Sequence, residues 1–315
     1  MPQRPYRIGV QSCILRLFPL ELALQKISGA GYDGIELWGG QFHGYAPDFA
    51  RLSGDEWIID EGRIEQAREL CNRSKLSLVC YTPEQCIYPI NYLMEDVDPF
   101  DGPRLAAQSR KLLHMSIDIS SALGCNRVVL CSPLWHWHKR AGEYERVTKE
   151  QAVKAAIQAL ESFVRHAEDR HVAILFEPLV YHDSNAIETL DDVTSMIEQI
   201  PSPNLQLLID TGHIQVTAKR CGEDPVSYLR SHFERFADRI RHIHLDDNDG
   251  VTDSHLLPGE GEVDFQAMLR VLRDFGYADW LSLEVTGLGP YPLPEKAESV
   301  LKQGIAYIDS LIKVP

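Results

Sequence analysis

The sequence predicts a (β/α)8 barrel, the TIM barrel of the α/β class, as a single domain over residues 1–315. Eight short apolar or β-branched runs can be counted along the 315 residues, and segments with helical periodicity separate most of them. This alternation is typical of a parallel sheet covered by helices. The runs lie at 7–11, 34–37, 76–81, 127–131, 172–177, 205–210, 240–245 and 280–285.

The segments between the runs are predicted to be helices from their apolar spacing. Leu20, Ala23, Leu24 and Ile27 follow the i, i+3, i+4, i+7 pattern of one helix face. Pro19 precedes them and suits a first helical turn. Similar stripes occur at 153–164 and 193–200.

A doubly wound open sheet is the alternative architecture. No G-x-G-x-x-G sequence follows the first apolar run, although that pattern is typical of dinucleotide-binding sheets. An open sheet also places its site at one switch point, whereas a barrel collects side chains from every strand end. The barrel is therefore preferred, with long loops at 39–54, 82–103 and 132–147 on its catalytic face.

Composition limits the class of partner. The formal net charge is −15 and no Lys- or Arg-rich run is present, so no nucleic-acid partner is expected. No stretch approaches the roughly 20 apolar residues of a membrane span, so no membrane partner is expected. The seven cysteines include no C-x-x-C pair, which favours free thiols in a reducing, cytoplasmic compartment.

Four consecutive apolar runs each end in a potential metal ligand, namely Glu177, Asp210, His244 and Glu284. Their separations of 33, 34 and 40 residues are about the length of one strand-plus-helix unit. In a barrel the four side chains would therefore meet at the carboxyl ends of neighbouring strands. Each has an ordinary alternative, such as a helix N-cap for Asp210 or a buried core histidine at His242 or His244.

Taken together, the four side chains predict one divalent metal ion, because buried charges are costly unless they are paired or metal-bound. Mostly oxygen ligands suit Mn²⁺, Co²⁺ or Mg²⁺, and the histidine also allows Zn²⁺; Mn²⁺ is preferred. Such an ion can polarise a hydroxy-ketone held through two oxygens. Glu177 and Glu284, on roughly opposite sides of the site, could then remove and return a proton on opposite faces of one carbon.

Motifs spread over nearly the whole chain carry a family resemblance. They are Gly31-Tyr-Asp-Gly-Ile-Glu-Leu-Trp-Gly-Gly40, Ala46-Pro-Asp48, Tyr81-Thr-Pro-Glu84, Phe176-Glu-Pro-Leu179, Pro201-Ser-Pro-Asn204, Asp210-Thr-Gly-His213, His242-Ile-His244 and Pro258-Gly-Glu-Gly261. The chain resembles the xylose-isomerase-like barrels, and among them the ketose 3-epimerases of the tagatose/psicose and fructoselysine type. The resemblance implies a metal-dependent enzyme that inverts C3 of a small sugar, assembled as a homodimer or homotetramer.

The resemblance also implies residue roles. Glu177, Asp210, His244 and Glu284 match the metal ligands of the family, and the two glutamates match its acid/base pair. His213 matches a residue that hydrogen-bonds the substrate. His255 falls where the tagatose/psicose enzymes carry a substrate-binding Arg, and this departure argues against a simple free ketohexose as substrate. Asp183 falls where those enzymes carry a substrate-contacting Glu with a longer side chain.

Four further residues are predicted substrate contacts. Glu84 lies in one of the resembling motifs. Trp38 and Trp135 belong to aromatic-rich loops, which form either pocket walls or loop-to-loop packing. Glu36 either lines the pocket floor or pairs with a Lys or Arg.

Other functions fit the same barrel. An aldose–ketose isomerase or an inosose-type dehydratase would use the same metal site, whereas an endonuclease IV-like nuclease conflicts with the acidic charge. A non-enzymatic binding module would need the metal site to be vestigial. The acidic stretch 246–250 disfavours a phosphate on the substrate and would tolerate a cationic amine.

Overall fold

The computed structural model describes residues 4–53, 56–83, 102–132, 137–140, 143–146, 149–181, 186–286 and 294–312, with backbone alone at 52, 102–106, 137–140, 143–146 and 151–152. Its strands are β1 (Arg7–Gln11), β2 (Gly34–Trp38), β3 (Ala50–Ser53), β4 (Glu56–Ile59), β5 (Ser77–Thr82), β6 (Arg127–Cys131), β7 (Trp137–Arg140), β8 (Glu143–Arg146), β9 (Ala173–Glu177), β10 (Leu205–Asp210), β11 (Ile240–Leu245) and β12 (Trp280–Leu283). Its helices are α1 (Leu20–Ala30), α2 (Glu61–Ser74), α3 (Gly102–Leu123), α4 (Lys149–Asp169), α5 (Leu190–Gln199), α6 (Thr211–Cys221), α7 (Pro225–Phe236), α8 (Phe265–Asp274) and α9 (Pro294–Ile312), with short 3₁₀ turns at Ser12–Leu15 and Ala46–Asp48.

Eight of these strands form a closed parallel barrel in the order β1, β2, β5, β6, β9, β10, β11, β12 and back to β1. The predicted (β/α)8 barrel is therefore confirmed, and the eight predicted runs match the barrel strands to within two residues at either end. The strands coincide with apolar runs because a barrel strand is buried on both of its faces. Its inner face packs in the barrel and its outer face packs against the helices.

Two antiparallel pairs, β3 with β4 and β7 with β8, follow the second and fourth barrel strands. The predicted loops 39–54 and 132–147 include β3, β7 and β8, and β4 was not predicted. Each strand of these pairs has four residues, which is too short for an alternating pattern to stand out. Among the described helices, none combines the length and the apolarity needed to cross a bilayer.

Apolar side chains at the middle of the barrel separate its two ends. Val79, Val129, Leu175 and Leu208 pack with Trp280 and Cys80 in one buried cluster. Gly34 makes room for this layer, because a Cβ there would lie 2.7 Å from the Trp280 ring and 2.8 Å from the Ser77 carbonyl oxygen. The interior is thus solid between the two mouths of the barrel.

His232 is a buried histidine on the outer helical layer. It is 2% exposed on α7, and its Nδ1 lies 2.9 Å from the Tyr228 carbonyl oxygen one turn earlier. Burial lowers the pKa of His232 to about 4, against a smaller opposing effect of that hydrogen bond. The unfolded chain, with a histidine pKa of about 6.5, binds this proton more readily than the folded protein does.

Acidification is therefore expected to destabilise the protein through His232 as the pH falls from about 6.5 towards 4. Between pH 7 and pH 4.5 the free energy of unfolding should fall by about 2 kcal/mol less in a His232→Asn protein than in the wild type. The size follows because one pKa unit corresponds to about 1.4 kcal/mol. Urea unfolding at the two pH values measures the difference. His171→Asn, at an exposed position with a positive φ of 55°, is the matched control and should behave like the wild type; equal losses in all three proteins would contradict the prediction.

Candidate metal centre

The four predicted ligands converge at the carboxyl ends of four adjacent strands. Glu177 and Asp210 end β9 and β10, His244 is the next-to-last residue of β11, and Glu284 directly follows β12. One ligand atom from each lies within 4.8 Å of the other three. Their exposed fractions are only 4%, 2%, 0% and 6% for Glu177, Asp210, His244 and Glu284. The structure therefore brings all four together in one buried cluster, called the quartet below.

Distances within the quartet fit a single divalent ion. His244 Nδ1 lies 2.7 Å from Glu284 Oε2, 3.4 Å from Glu177 Oε1 and 3.9 Å from Asp210 Oδ2. Two ligand atoms that each lie about 2.0–2.2 Å from one ion are at most about 4.4 Å apart, and all three distances are within this limit. Asp210 Oδ2, His244 Nδ1 and Glu284 Oε2 are buried atoms without a hydrogen-bond partner. Such unpaired atoms are costly, and one cation would satisfy all three.

Asp210 uses its two carboxylate oxygens differently. It is the N-cap of α6, because its Oδ1 accepts a 2.7 Å hydrogen bond from the backbone N–H of His213. This contact fixes the carboxylate and leaves Oδ2 directed to the quartet. The helix N-cap, considered above as an alternative to a metal ligand, is therefore compatible with it.

Glu36 lies behind His244 in the barrel interior. It is 0% exposed, and its carboxylate accepts from Nε2 of both His242 and His244 at 3.0 Å. The Thr82 hydroxyl donates to the same carboxylate at 2.6 Å. Because Nε2 of His244 is turned to Glu36, its Nδ1 faces the quartet. Glu36 thus orients a candidate ligand, a role typical of carboxylates behind metal-bound histidines.

The charges of this interior are strongly coupled. Burial alone would raise the pKa of Glu36, but His244 and His242 outweigh it and lower that pKa well below its usual value. Burial likewise disfavours a charged His244, yet Glu284, Glu36 and Glu177 raise the pKa of His244 well above its usual value. The quartet thus attracts positive charge, which a divalent ion supplies.

Gln11 and Cys131 orient the two glutamates. The Gln11 side-chain amide donates to Glu284 Oε1, and the Cys131 thiol lies 3.4 Å from Glu177 Oε2. Neither residue was predicted from the sequence. Each is the last residue of its barrel strand, so testing every strand end rather than the charged ones alone would have found them.

A second group of titratable side chains adjoins the quartet. Asp253 Oδ2 lies 3.2 Å from His213 Nε2 and 3.0 Å from His255 Nε2, and His213 Nδ1 lies 3.1 Å from the Pro178 carbonyl oxygen. The three side chains have ligand atoms spaced for a cation. Asp253 was not predicted, because it lies in an irregular loop without a strand end to mark it.

Gly212 allows the Thr-Gly-His turn to approach the next loop. A Cβ at this position would lie 2.6 Å from Asp246 Oδ2 and 2.7 Å from the Asn248 amide nitrogen. The backbone N–H of Gly212 donates to Asp246 Oδ1 at 2.9 Å, and Asp246 Oδ2 lies 3.2 Å from His255 Nδ1. The contact between Asp246 and His255 holds the His255 ring beside the quartet.

Two acids of the stretch 246–250 are buried and make contacts within the fold. Asp246 and Asp247 are 0% exposed. The Asp247 carboxylate accepts backbone N–H groups from Gly259, Gly261 and Val263 at 2.9–3.0 Å. Its charge therefore shapes the following turn rather than the pocket.

The remaining predicted contacts have different positions. His213 and His255 lie beside the quartet, with His213 Nδ1 3.6 Å from Glu177 Oε1 and His255 Nδ1 3.9 Å from Glu284 Oε2. Trp38 ends β2 at the same mouth, and its ring meets that of His43 edge-on with a 6.0 Å centroid separation. Glu84, Trp135 and Asp183 lie outside the described residues.

The chain belongs to the Xylose isomerase-like TIM barrel family, whose model matches residues 24–311. This confirms the family predicted from the sequence motifs. The chain is 26% identical over 280 residues to the fructoselysine 3-epimerase of Shigella flexneri, covering 89% of this chain and 90% of that protein.

Solved structures share the fold. A D-tagatose 3-epimerase-like protein superposes with a TM-score of 0.70 at 19% identity, covering 96% of this chain and 98% of its own. The IolI protein, solved with a bound zinc atom, superposes with a TM-score of 0.71 at 17% identity, covering 97% and 98%.

Removing the charge of Glu36 is expected to weaken metal binding. In a Glu36→Gln protein the amide no longer holds the Nε2 proton of His244 as strongly, so the affinity for Mn²⁺ should fall by roughly 10- to 100-fold. Calorimetric titration of the metal-stripped protein with Mn²⁺ measures this affinity. Glu65→Gln, an exposed glutamate on α2 that pairs with Arg68, is the control; a Glu36→Gln protein that is folded and binds Mn²⁺ as tightly as this control would contradict the role assigned to Glu36.

Proposed function

We propose that this chain is a metal-dependent carbohydrate epimerase that inverts C3 of a ketose or ketose derivative. The observation that carries the proposal is the position of the two glutamates. Going round the barrel, Glu177 ends β9 and Glu284 directly follows β12, and Asp210 and His244 lie on the two strands between them. Two carboxylates thus flank one buried centre, which is what inversion at a single carbon requires.

In this proposal the glutamates move one proton across the substrate carbon. One carboxylate removes the proton from C3 on its own face, which leaves an enediolate. The other, in its protonated form, returns a proton to the opposite face. After the turnover the two glutamates have exchanged protonation states, and the reverse reaction uses them in the opposite order.

A divalent ion held by the quartet would polarise the substrate carbonyl and acidify the neighbouring C–H bond. The unpaired buried atoms of Asp210, His244 and Glu284 support such an ion, as does the zinc named for the IolI relative. Mn²⁺ is the proposed ion because three of the four ligands are carboxylates.

The surroundings of the quartet favour proton transfer protected from water. Glu177 and Glu284 are 4% and 6% exposed, and Gln11 holds one oxygen of Glu284. His213 and His255, beside the quartet, are the proposed substrate contacts among the described residues. The likeness to fructoselysine 3-epimerase along 89% of the chain supports a ketose derivative as substrate.

Incubation of the Mn²⁺-loaded protein with ketoses and fructosamines in D₂O should put deuterium at C3 and produce the C3 epimer, as read by NMR. Glu177→Gln and Glu284→Gln should each reduce this exchange by at least about 10²-fold, because a positioned acid or base contributes roughly 10²–10⁴-fold.

Glu234→Gln, an exposed glutamate on α7, is the matched control and should retain full exchange. Failure of every ketose and ketose derivative to exchange at C3 would refute the proposal. Loss of water from the substrate would instead identify a dehydratase at the same centre.

A further inference from the structure

A cavity of about 480 Å³ opens at the amino ends of the barrel strands, opposite the quartet. Arg7, Arg127 and Ala173 are the first residues of β1, β6 and β9, and all three line it. Such a volume is in the range of small-molecule sites. In barrels of this kind the amino face normally serves stability, so a cavity there needs its own explanation.

The cavity is basic although the protein is acidic. Among the described lining residues are three arginines, Arg7, Arg127 and Arg241, and one acidic residue, Asp279. The local balance is therefore +2, from three positive charges and one negative, in a chain of net charge −15. Clustered like charges are unfavourable unless something balances them, and here the surplus amounts to two charges.

The existing contacts hold two of the arginines in place. Arg127 forms a two-pronged ion pair with Asp279, at 3.1 and 2.9 Å. Arg7 reaches the same carboxylate at 3.7 Å, and its guanidinium lies 4.3 Å above the Trp280 ring. Both guanidinium groups are therefore positioned before any ligand arrives.

Arg241 and Gln206 supply unused donors. The Arg241 guanidinium is half-buried and makes no ion pair or hydrogen bond with any described residue. The Gln206 side-chain amide, also half-buried in the lining, is likewise without a partner within the described part of the chain. An arginine with this freedom is suited to grip an oxyanion through two parallel hydrogen bonds.

We propose that this cavity binds a small phosphoryl oxyanion, either inorganic phosphate or a phosphate monoester. A dianion matches the surplus of two positive charges, and guanidinium groups match the geometry of its oxygens. The apolar layer of Val79, Val129, Leu175, Leu208 and Trp280 separates this site from the quartet. The site is thus distinct from the proposed catalytic centre and independent of the reaction performed there.

Calorimetric titration of the metal-loaded protein with inorganic phosphate and with glycerol phosphate, at fixed ionic strength, tests the proposal. One saturable site is expected. Arg241→Gln should weaken it at least tenfold, since a charge-assisted pair of hydrogen bonds is lost. The Arg241 guanidinium makes no ion pair or hydrogen bond within the described residues, so this variant should fold normally. Arg7→Gln, which alters an arginine whose side chain is 59% exposed, is a second variant and should weaken binding in the same direction.

Arg68→Gln, which alters an exposed arginine on α2, is the matched control and should bind within twofold of the wild type. Tighter binding of glycerol phosphate would identify an ester as the ligand, and tighter binding of phosphate would identify the free ion. No saturation below roughly 10 mM, or equal binding by the Arg241→Gln and Arg68→Gln proteins, would overturn the proposal and leave the arginines a purely structural role.

Discussion

Three carboxylates buried within a few ångströms of one another are the constraint on which the rest of this structure depends. Glu177, Asp210 and Glu284 are each at most 6% exposed, and their ligand atoms lie within 4.8 Å of one another and of His244. Burying like charges at such a distance is strongly unfavourable unless a cation is bound. The surrounding contacts, from the α6 N-cap to Gln11, hold these groups in place.

The interior of the barrel is layered by charge along its axis. An acidic layer lies at the carboxyl mouth, an apolar layer including Trp280 fills the middle, and arginines line the amino mouth. Glu36, His242 and His244 lie between the acidic layer and the apolar layer. Hydrogen bonds of 3.0 Å join the Glu36 carboxylate to both histidines. A barrel interior tolerates the Glu36 carboxylate because His242, His244 and Thr82 all donate hydrogen bonds to it. The apolar layer keeps the two mouths chemically separate.

Hydrogen bonds from loops give the carboxyl mouth its shape. Asp246 and Asp247 look like surface acids in the sequence, yet both are 0% exposed and accept backbone N–H groups of Gly212 and of the turn after Pro258. His255 adopts a φ of +41°, which a residue with a side chain rarely takes, and it lies between Asp246 and Asp253. The positions of His213 and His255 beside the quartet thus depend on buried acids.

The sequence by itself determined the barrel and the four strand ends, because both follow from local rules. A strand buried on both faces must be an apolar run, and a charge that ends such a run marks the mouth of a parallel barrel. Only the tertiary structure decided the contacts that depend on distant parts of the chain. Glu36 meets His244 across 208 residues, and Gln11 meets Glu284 across 273. No local pattern encodes such pairs, because closure of the barrel, rather than nearness in sequence, makes them neighbours.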